Sequence, residues 1–450
     1  MSQAKYEALA KKIVARALKR GAKQAEAFLQ VGRSADVRVR DGEIEDLTQA
    51  TSKGVGVRVF VKNRLGFVWT SDFDPSSLDT IIDRAIALAE MSAPNPLNGL
   101  PDQDTLGKFP DVGALFDEEV ASLPPDWKIN ASIEMEKVIK AFDPRITAMD
   151  SVGAGESVTE VYLASSAGVH GSYQGTSVYL YASPVASENG QLQTSYWYDA
   201  KRFFEDLASP ESVATKAAQR AVRLLGAKKV KSQKCAIVLD PTMAAGFISS
   251  IAGAANGDAV FQQSSFLAAK LGKRIAPEHV TLIDDGLRKR GLATSPFDGE
   301  GVPTRRTPLL EKGVLKAFLY DAFTARKAKT KSTGNASRGY RSLPSIGVNN
   351  LVLEPGTKTP EQIIGEIPNG FYVTAMLGHG ANTVTGEYSR GANGLWIENG
   401  ELTRPVQEVT VAGNLNDMLM QLDAIGNDLT FHGSTGASTI RFKELTVSGE

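Results

Sequence analysis

The sequence predicts an α+β protein of two domains, with amino-terminal helices packed on an antiparallel sheet and a strand-rich, β-barrel-like carboxyl-terminal domain. Three observations support this fold class. At 450 residues the chain is longer than one ordinary hydrophobic core accommodates. In the first half, helical patterns are interspersed with short runs typical of antiparallel strands. In the second half, strand patterns dominate. This order favours α+β over a doubly wound parallel sheet.

The first predicted helix has its apolar residues on one face between residues 6 and 18. Ser2 can cap its start, and Gly21 follows its end. Short alternating runs come next, separated by Asp41-Gly42 and by Asn63. Asparagine, aspartate and glycine suit the turns of tight hairpins, so this segment predicts antiparallel hairpins.

The rest of the first half continues the mixture of helices and strands. A second amphipathic helix is predicted from 76 to about 91, and the proline-rich segment 95–127 is predicted to be a long surface connection. A helix near 130–141 follows, then strands from about 145 to 200. A helix from 210 to 225 ends this half.

The lysine-rich segment 226–234 is the best candidate for a domain boundary, because it separates a long helix from a new apolar strand. The predicted domains are therefore residues 1–228, of α+β type, and residues 229–450, of β-rich type. Within the second domain, Lys312-Gly313 and Asn399-Gly400 are predicted turns, and Asn399-Gly400 indicates a hairpin.

The overall composition and charge do not indicate a particular class of binding partner. The formal net charge is -1 and apolar residues make up 42% of the chain, so neither property indicates a disordered, membrane or generally nucleic-acid-binding protein. The single cysteine, Cys235, cannot form an internal disulfide and lies in a predicted buried strand. The amino terminus lacks an apolar signal core. We therefore expect a cytoplasmic protein with no membrane partner.

Common catalytic motifs are mostly absent. The four histidines are never three or four residues apart, so no helical pair of metal ligands can be written; they are His170, His279, His379 and His432. His379 lies between two glycines in "AMLGHGANTVTGEYSRG". It is either part of a turn, a substrate contact, or a metal ligand or base.

Several long and unusual strings nevertheless carry a family resemblance. They include "SPFDGEGVPTRRTPLLEKGVLKAFLYD", "KSTGNASRGY" and "MLGHGANTVTGEYSRGANGLWIENGE" in the second half, and "RVRDGEIEDLTQATSKGVGVRVFV" in the first. Together they resemble the TldD/PmbA family, whose members were called modulators of DNA gyrase and are understood as proteases or protease subunits. The resemblance covers nearly the whole chain.

The resemblance also suggests a branch of that family. The TldD branch carries H-E-x-x-x-H on the first helix of its second domain and a cysteine near the carboxyl terminus, which together bind zinc. Here the corresponding helix is predicted over 241–261 and has Ser249, Ser250 and alanines, and Ser434 and Thr435 lie near the expected cysteine. Hydroxyl groups do not replace imidazole and thiolate on zinc. The second domain therefore resembles a degenerate metalloprotease domain of the PmbA (TldE-type) branch.

This resemblance implies a function. The chain would be the non-catalytic, metal-free partner of a TldD-like zinc peptidase, acting in proteolysis and peptide maturation on extended or unfolded peptides. It would hold no cofactor, with zinc in the TldD-like partner, and would form a homo- or hetero-oligomer. The alternative enzyme hypothesis is an active metallopeptidase with an unrecognised site, in which His379, His432, Glu387 and Asp428 converge on a metal.

Six residues of the shared strings are predicted to line one cleft that binds a peptide or the partner: Arg305, Arg306, Asn335, Arg338, His379 and Arg390. The glycines around them let another chain approach, and the side chains offer donors to an extended peptide. The basic stretch 305–341 also raises the hypothesis of a DNA-binding or acidic-partner-binding modulator. No aromatic stacking platform or groove-reading helix accompanies that stretch, which favours a solvated face or a protein interface.

Overall fold

The computed structural model describes residues 3–378 and 380–449. The first half contains, in order, α1 (Gln3–Lys19), β1 (Gln24–Arg40), β2 (Glu43–Val61), β3 (Arg64–Thr70), α2 (Pro75–Met91), α3 (Glu118–Ala121), α4 (Pro125–Phe142), β4 (Ile146–Ser165), β5 (His170–Glu188), β6 (Gln191–Thr194), β7 (Trp197–Lys201) and α5 (Pro210–Val222).

The second half contains many short strands. In order, its elements are β8 (Gln233–Leu239), α6 (Pro241–Ala254), α7 (Gly257–Phe261), β9 (Leu282–Asp285), β10 (Arg306–Glu311), β11 (Val314–Leu315), α8 (Ala322–Lys327), β12 (Ala336–Ser337), β13 (Ser345–Ile346), β14 (Asn350–Leu353), α9 (Pro360–Gly365), β15 (Asn369–Leu377), β16 (Glu387–Glu398), β17 (Glu401–Asn414), α10 (Leu415–Gln421), β18 (Leu422–Ile425), β19 (Thr430–His432), β20 (Thr435–Ala437) and β21 (Ile440–Ser448).

One antiparallel sheet organises the first half. Its strands run in the order β3-β2-β1-β4-β5-β6, and β7 also pairs with β5. The apolar stripe of α1, which includes Tyr6, Ile13 and Ala17, packs with α2 on β1 and β2. Helices α4 and α5 share a second core with β4 and β5. Amino-terminal helices on an antiparallel sheet are therefore confirmed.

A closed barrel organises the second half. Strands β17, β16, β15, β8 and β21 pair in that order, and β17 pairs again with β21, so the sheet closes on itself. Helix α6 packs on this barrel, and both contribute to the largest apolar core. A second sheet of order β11-β10-β9-β14-β20-β19 lies in the same half. The predicted α+β class and the β-barrel-like second domain are confirmed.

The turns predicted at Asp41-Gly42 and Asn399-Gly400 are present in the structure. Asp41 and Gly42 have φ of 53° and 78°, and Asn399 and Gly400 have φ of 51° and 82°. Each pair joins two antiparallel strands. Two consecutive residues with positive φ match the right-handed twist of the strands they connect, which is why asparagine, aspartate and glycine are found here.

Two predicted segments differ from the structure. The segment 95–127 is more than a surface connection, because Leu100, Val112 and Leu115 are buried in it. The string 241–261 forms two helices instead of one. Asn256 interrupts it, since its side chain accepts hydrogen bonds from the N–H groups of Asp258 and Ala259 and thereby caps α7.

The strands of the first sheet lie within residues 24–201, and the strands of the other sheets lie within 233–448. The domain limits 1–228 and 229–450 remain a prediction. Across residues 3–378 and 380–449, no helix is both long and apolar enough to cross a membrane.

The contact between α2 and β3 provides a test of this packing. A Cβ atom on buried Gly66 would lie 1.9 Å from the carbonyl oxygen of Ala85, whereas a Cβ on Gly107 would meet nothing within 4 Å. We expect Gly66→Ala to lower the free energy of unfolding by about 1–3 kcal/mol or more, because backbone must move. Gly107→Ala should leave it nearly unchanged. Equal denaturation midpoints for the two variants would contradict this packing.

Candidate functional site

A buried ion pair lies at the amino-terminal end of helix α6. Asp240 is 1% exposed, and its Oδ1 accepts a hydrogen bond from the backbone N–H of Met243 at 2.9 Å. Arg220, from α5 in the first half, donates to Oδ2 of Asp240 at 2.7 Å and to the carbonyl oxygen of Thr374 at 2.8 Å. The start of α6 is therefore held by both halves of the chain.

The exposed face of α6 carries small residues. Gly246, Ser249 and Gly253 are exposed, while the opposite face is buried. A Cβ on Gly246 would lie 4.0 Å from Nη1 of Arg390, and a Cβ on Gly253 would lie 4.0 Å from Cγ2 of Thr383. Strand β16 and the loop before it therefore lie close over this face.

The side chains of α6 are poor metal ligands. The Oγ of Ser249 donates to the carbonyl oxygen of Ala245 at 2.8 Å, and the Oγ of Ser250 donates to that of Gly246 at 3.1 Å. The helix has no histidine, cysteine, aspartate or glutamate. Within residues 3–378 and 380–449, no three such side chains lie close enough to hold a metal ion. The described residues of this region therefore do not fit a zinc ion.

The β19–β20 hairpin packs against α6 and brings His432 to the junction between the halves. The His432 ring lies 4.3 Å from the ring of Tyr198, centroid to centroid. Burial lowers the pKa of His432, and nearby Arg220 lowers it further while Asp240 opposes the change. Ser434 lies in the turn between β19 and β20, where its carbonyl oxygen accepts a hydrogen bond from the N–H of Leu351 at 3.0 Å. At neutral pH His432 is therefore an uncharged packing group.

A groove of about 550 Å³ lies beside this junction on the first sheet. Tyr179 and Tyr181 form part of its floor and lie flat over Gly155 and Gly153, where an added Cβ would be only 2.4 and 2.5 Å from their hydroxyl oxygens. Their hydroxyls donate to the carboxylate of Asp36 at 3.0 and 3.2 Å. Burial, with the charge of Asp36, raises the pKa of both tyrosines, so they remain neutral hydrogen-bond donors.

Two further tyrosines continue the groove. Tyr198 is the cross-strand neighbour of Tyr181, and Tyr196 stacks on Tyr198 with 10° between the ring planes and 6.4 Å between centroids. Since His432 packs on Tyr198, the β19–β20 hairpin lies beside the groove. We call this surface, formed by Tyr179, Tyr181, Tyr196 and Tyr198, the tyrosine groove. Sequence analysis missed it, although the alternation in "SVYLYASP" and "SYWYD" places these rings on one face.

A second polar cluster joins the halves. The guanidinium of Arg58 contacts the carboxylates of Glu26 at 3.1 Å and Glu300 at 2.9 Å, and Arg338 contacts Glu26 at 2.6 Å. The side chain of Arg338 is fully buried and lies 4.4 Å above the ring of Phe28. Burial raises the pKa of Glu26, but the charges of Arg338 and Arg58 outweigh it, so this pKa lies below its usual range. We call Glu26, Arg58, Glu300 and Arg338 the buried ion network.

Two of the predicted cleft residues lie together. Asn335 is 2% exposed, and its amide donates to Asp284 at 2.6 Å and to the carbonyl oxygen of Gly347 at 2.9 Å. Asn335 and Arg338 line one cavity of about 170 Å³. Burial raises the pKa of Asp284 to about 6, although the amides bonded to it oppose the change. The "STGNASRG" string therefore packs inside the protein, between the halves.

The other predicted cleft residues lie elsewhere. Arg305 and Arg306 are exposed, and Arg306 forms a surface ion pair with Glu354 at 3.1 Å. Arg390 lies on β16 beside α6. His379 lies outside the described residues. The structure thus brings Asn335 and Arg338 together, and a single cleft formed by all six residues stays a prediction.

The basic stretch 305–341 is largely paired within the chain. Lys327 contacts Asp258 at 2.7 Å, Lys331 contacts Asp104 at 2.8 Å, and Arg306 and Arg338 are paired as described. Arg326 donates to the carbonyl oxygens of Leu97, Gly99 and Leu100. These charges join segments of the protein to each other, so they do not form a free basic face of the kind that attracts nucleic acid.

Comparison with known proteins gives matches over nearly the whole chain. The PmbA/TldA metallopeptidase domain 1 matches residues 25–89, the central domain of that family matches 118–225, and its C-terminal domain matches 232–449. Metalloprotease PmbA of Escherichia coli O157:H7 is 31% identical over 415 residues, which cover 92% of this chain and 90% of that protein. A PmbA homologue of Haemophilus influenzae is 29% identical over 92% of this chain and 89% of its own.

Solved structures agree with these matches. A crystal structure from Bacteroides thetaiotaomicron, described as a DNA gyrase modulator, superposes with a TM-score of 0.91 at 31% identity and covers 100% of both chains. TldE from Thermococcus kodakarensis superposes with a TM-score of 0.90 at 25% identity, covering 98% of this chain and 100% of its own.

The buried ion network can be tested through stability. Glu26→Gln removes one charge and leaves two buried guanidinium groups with too few carboxylates, so we expect a loss of about 3–5 kcal/mol in the free energy of unfolding. The matched control is Arg306→Ala, which breaks an exposed ion pair and should cost about 0–1 kcal/mol. Urea denaturation followed by circular dichroism measures both. Similar midpoints would show that the network contributes little.

The lowered pKa of His432 predicts a pH effect. As the pH falls through about 6.5, the unfolded chain binds a proton that the folded chain resists, so this residue makes the folded state less stable in acid. His432→Phe should keep the ring contact with Tyr198 and remove the effect. Its melting temperature should therefore fall less than that of the wild type between pH 7.5 and 5.5. The control, exposed His279→Phe, should follow the wild type, and parallel curves for all three proteins would contradict the argument.

Proposed function

The chain belongs to the PmbA/TldD metallopeptidase family, in its PmbA (TldE-type) branch, and from that premise we propose that it is the non-catalytic subunit of a two-component metalloprotease. In this proposal a TldD-like partner holds the catalytic zinc and this chain holds no metal. The pair acts in proteolysis and peptide maturation, on extended or unfolded peptides. Its place in a reducing cytoplasm is supported by the one cysteine, which is buried.

The observation that carries the proposal is the chemistry of α6. Ser249 and Ser250 direct their hydroxyls to carbonyl oxygens of their own helix, and glycine or alanine fills neighbouring positions. His432 supplies one imidazole near this helix, but a zinc peptidase site needs three protein ligands and an activated water. The alternative site of His379, His432, Glu387 and Asp428 has little support, because both carboxylate oxygens of Asp428 accept hydrogen bonds from Thr439.

The subunit would contribute a binding surface and a fixed frame. Arg305, Arg306, Arg390 and His379 remain our candidates for contact with a peptide or with the TldD-like partner. Arg390 is the strongest of them, because its guanidinium lies over the exposed glycine side of α6. Asn335 and Arg338 would act indirectly, by holding the "STGNASRG" string in place. A two-component enzyme requires a complex with the TldD-like partner, and an oligomer with a second copy of this chain is the alternative assembly.

Reconstitution tests this function. The purified chain alone should bind no stoichiometric zinc and cleave no casein-derived or other unfolded peptide. Mixed with a TldD-like partner, it should support turnover that a chelator abolishes. Arg390→Ala should lower that turnover roughly tenfold or more, since the loss of a charge-assisted contact costs about 1.5–3 kcal/mol, whereas exposed Lys5→Ala should not.

Two results would overturn the proposal. One is chelator-sensitive cleavage by the isolated chain with one equivalent of zinc. The other is full turnover by the TldD-like partner without this chain, together with no complex in analytical ultracentrifugation at micromolar concentrations.

A further inference from the structure

The tyrosine groove has the volume of a ligand site and a regular arrangement of rings. Tyr179 and Tyr181 lie on β5 two residues apart, with 6.2 Å between ring centroids, and Tyr196 and Tyr198 repeat this arrangement with 6.4 Å. The groove of about 550 Å³ lies within the usual size range of binding sites for small ligands. The two pairs are offset along the sheet, since Tyr181 lies opposite Tyr198 whereas Tyr179 lies opposite Ala200.

The spacing of the rings matches that of an extended polypeptide. A strand rises about 3.3 Å per residue and points alternate side chains to one side, so those side chains recur about every 6.6 Å. The ring spacings of 6.2 and 6.4 Å are nearly the same. A peptide lying along β5 and β7 can therefore place successive inward side chains against successive rings.

The charges around the groove favour a cation. Asp150 lines the groove and is exposed, and Asp36, outside the lining, accepts hydrogen bonds from the hydroxyls of Tyr179 and Tyr181. Of the residues found to line the groove in the described structure, Asp150 alone carries a charge. Of the neighbouring arginines, Arg38 is paired with Asp46 at 3.3 Å; Arg40 is paired with Glu45 at 2.7 Å and interacts more weakly with the charge of Asp150.

Aromatic faces add to this preference. A lysine or arginine side chain is attracted to the face of a tyrosine ring, and more strongly where water is partly excluded. Its aliphatic part also packs well on an aromatic surface. A carboxylate at the rim and rings in the floor thus form a complementary surface for a basic side chain, whereas an acidic one would meet the charge of Asp150.

We propose that the tyrosine groove binds an extended peptide segment and that it prefers segments with lysine or arginine at alternate positions. This proposal rests on the proposed function, which supplies the peptide, and adds the place and the chemistry of its recognition. Because Tyr198 contacts His432, on the hairpin that packs against α6, a peptide held in the groove would lie near this hairpin and α6.

The test uses the full chain alone, without a partner or metal. Two fluorescein-labelled peptides of equal length are compared by fluorescence anisotropy at low salt, one alternating valine with lysine and the other valine with glutamate. We expect the lysine peptide to bind at least roughly tenfold more tightly. Tyr198→Ala should weaken its binding about tenfold by removing a ring. Asp150→Asn, an exposed and conservative change, should weaken it roughly threefold to fivefold and reduce its dependence on salt.

Exposed Asp126→Asn is the matched control and should bind like the wild type. Equal affinity for the two peptides would overturn the proposal, as would unchanged binding by Asp150→Asn and Tyr198→Ala. If a single-stranded oligonucleotide bound the groove and displaced the lysine peptide, the rings would be assigned to base stacking, and this result would also overturn the proposal. Melting curves establish that each variant is folded, and Asp150→Asn keeps the test decisive if Tyr198→Ala is unstable.

The outcome is separable from that of the proposed function. If the isolated chain shows the expected peptide preference but the reconstituted pair hydrolyses nothing, the two-component function fails and the groove stands. If the pair hydrolyses peptides while the groove variants bind and turn over like the wild type, only the groove proposal fails.

Discussion

The buried ion network is the interaction on which the rest of the structure depends. Two of its members, Glu26 and Arg58, come from the first sheet, and Glu300 and Arg338 come from the second half. Each charge has been removed from water, so each is tolerable only while its counter-charges are in place. The halves therefore dock in one arrangement, because any displacement would leave a buried charge without its partner.

Because the halves dock in one arrangement, residues from both of them form the candidate site. Arg220 from α5 holds the start of α6, and Tyr198 from β7 packs on His432 from the β19–β20 hairpin. A groove on the first sheet and a helix of the second half thus meet at a single junction. Helix α6 carries no histidine, cysteine, aspartate or glutamate, and contacts from both halves fix its position at this junction.

Local features could be predicted from the sequence, and features made by docking could not. The turn at Asn399-Gly400 was predictable because its backbone conformation depends on those two residues. The burial of Asn335 and Arg338 was not, since an arginine in a glycine-rich string looks exposed until the first sheet, with Glu26 and Phe28, covers it. The break at Asn256 was missed because a side-chain cap competes with a pattern that otherwise continues the helix. The alternation of tyrosines was visible in the sequence, but only the cross-strand pairing of Tyr181 with Tyr198 shows that the two strands place their tyrosines next to each other.

The closure of the barrel imposes an order on folding. Strand β8 must pair with β21, where Gln233 lies opposite Val447, and β17 must pair with the same strand. Partners so far apart in the chain meet only after almost the entire second half has emerged from the ribosome, whereas the hairpins of the first sheet form from near neighbours. During that interval Glu26 and Arg58 have only each other as counter-ions, and the surface of the first half that later contacts the second half is exposed to solvent. Slow translation or a truncated mRNA would therefore leave this surface accessible to chaperones and proteases, because the barrel that covers it has not yet formed.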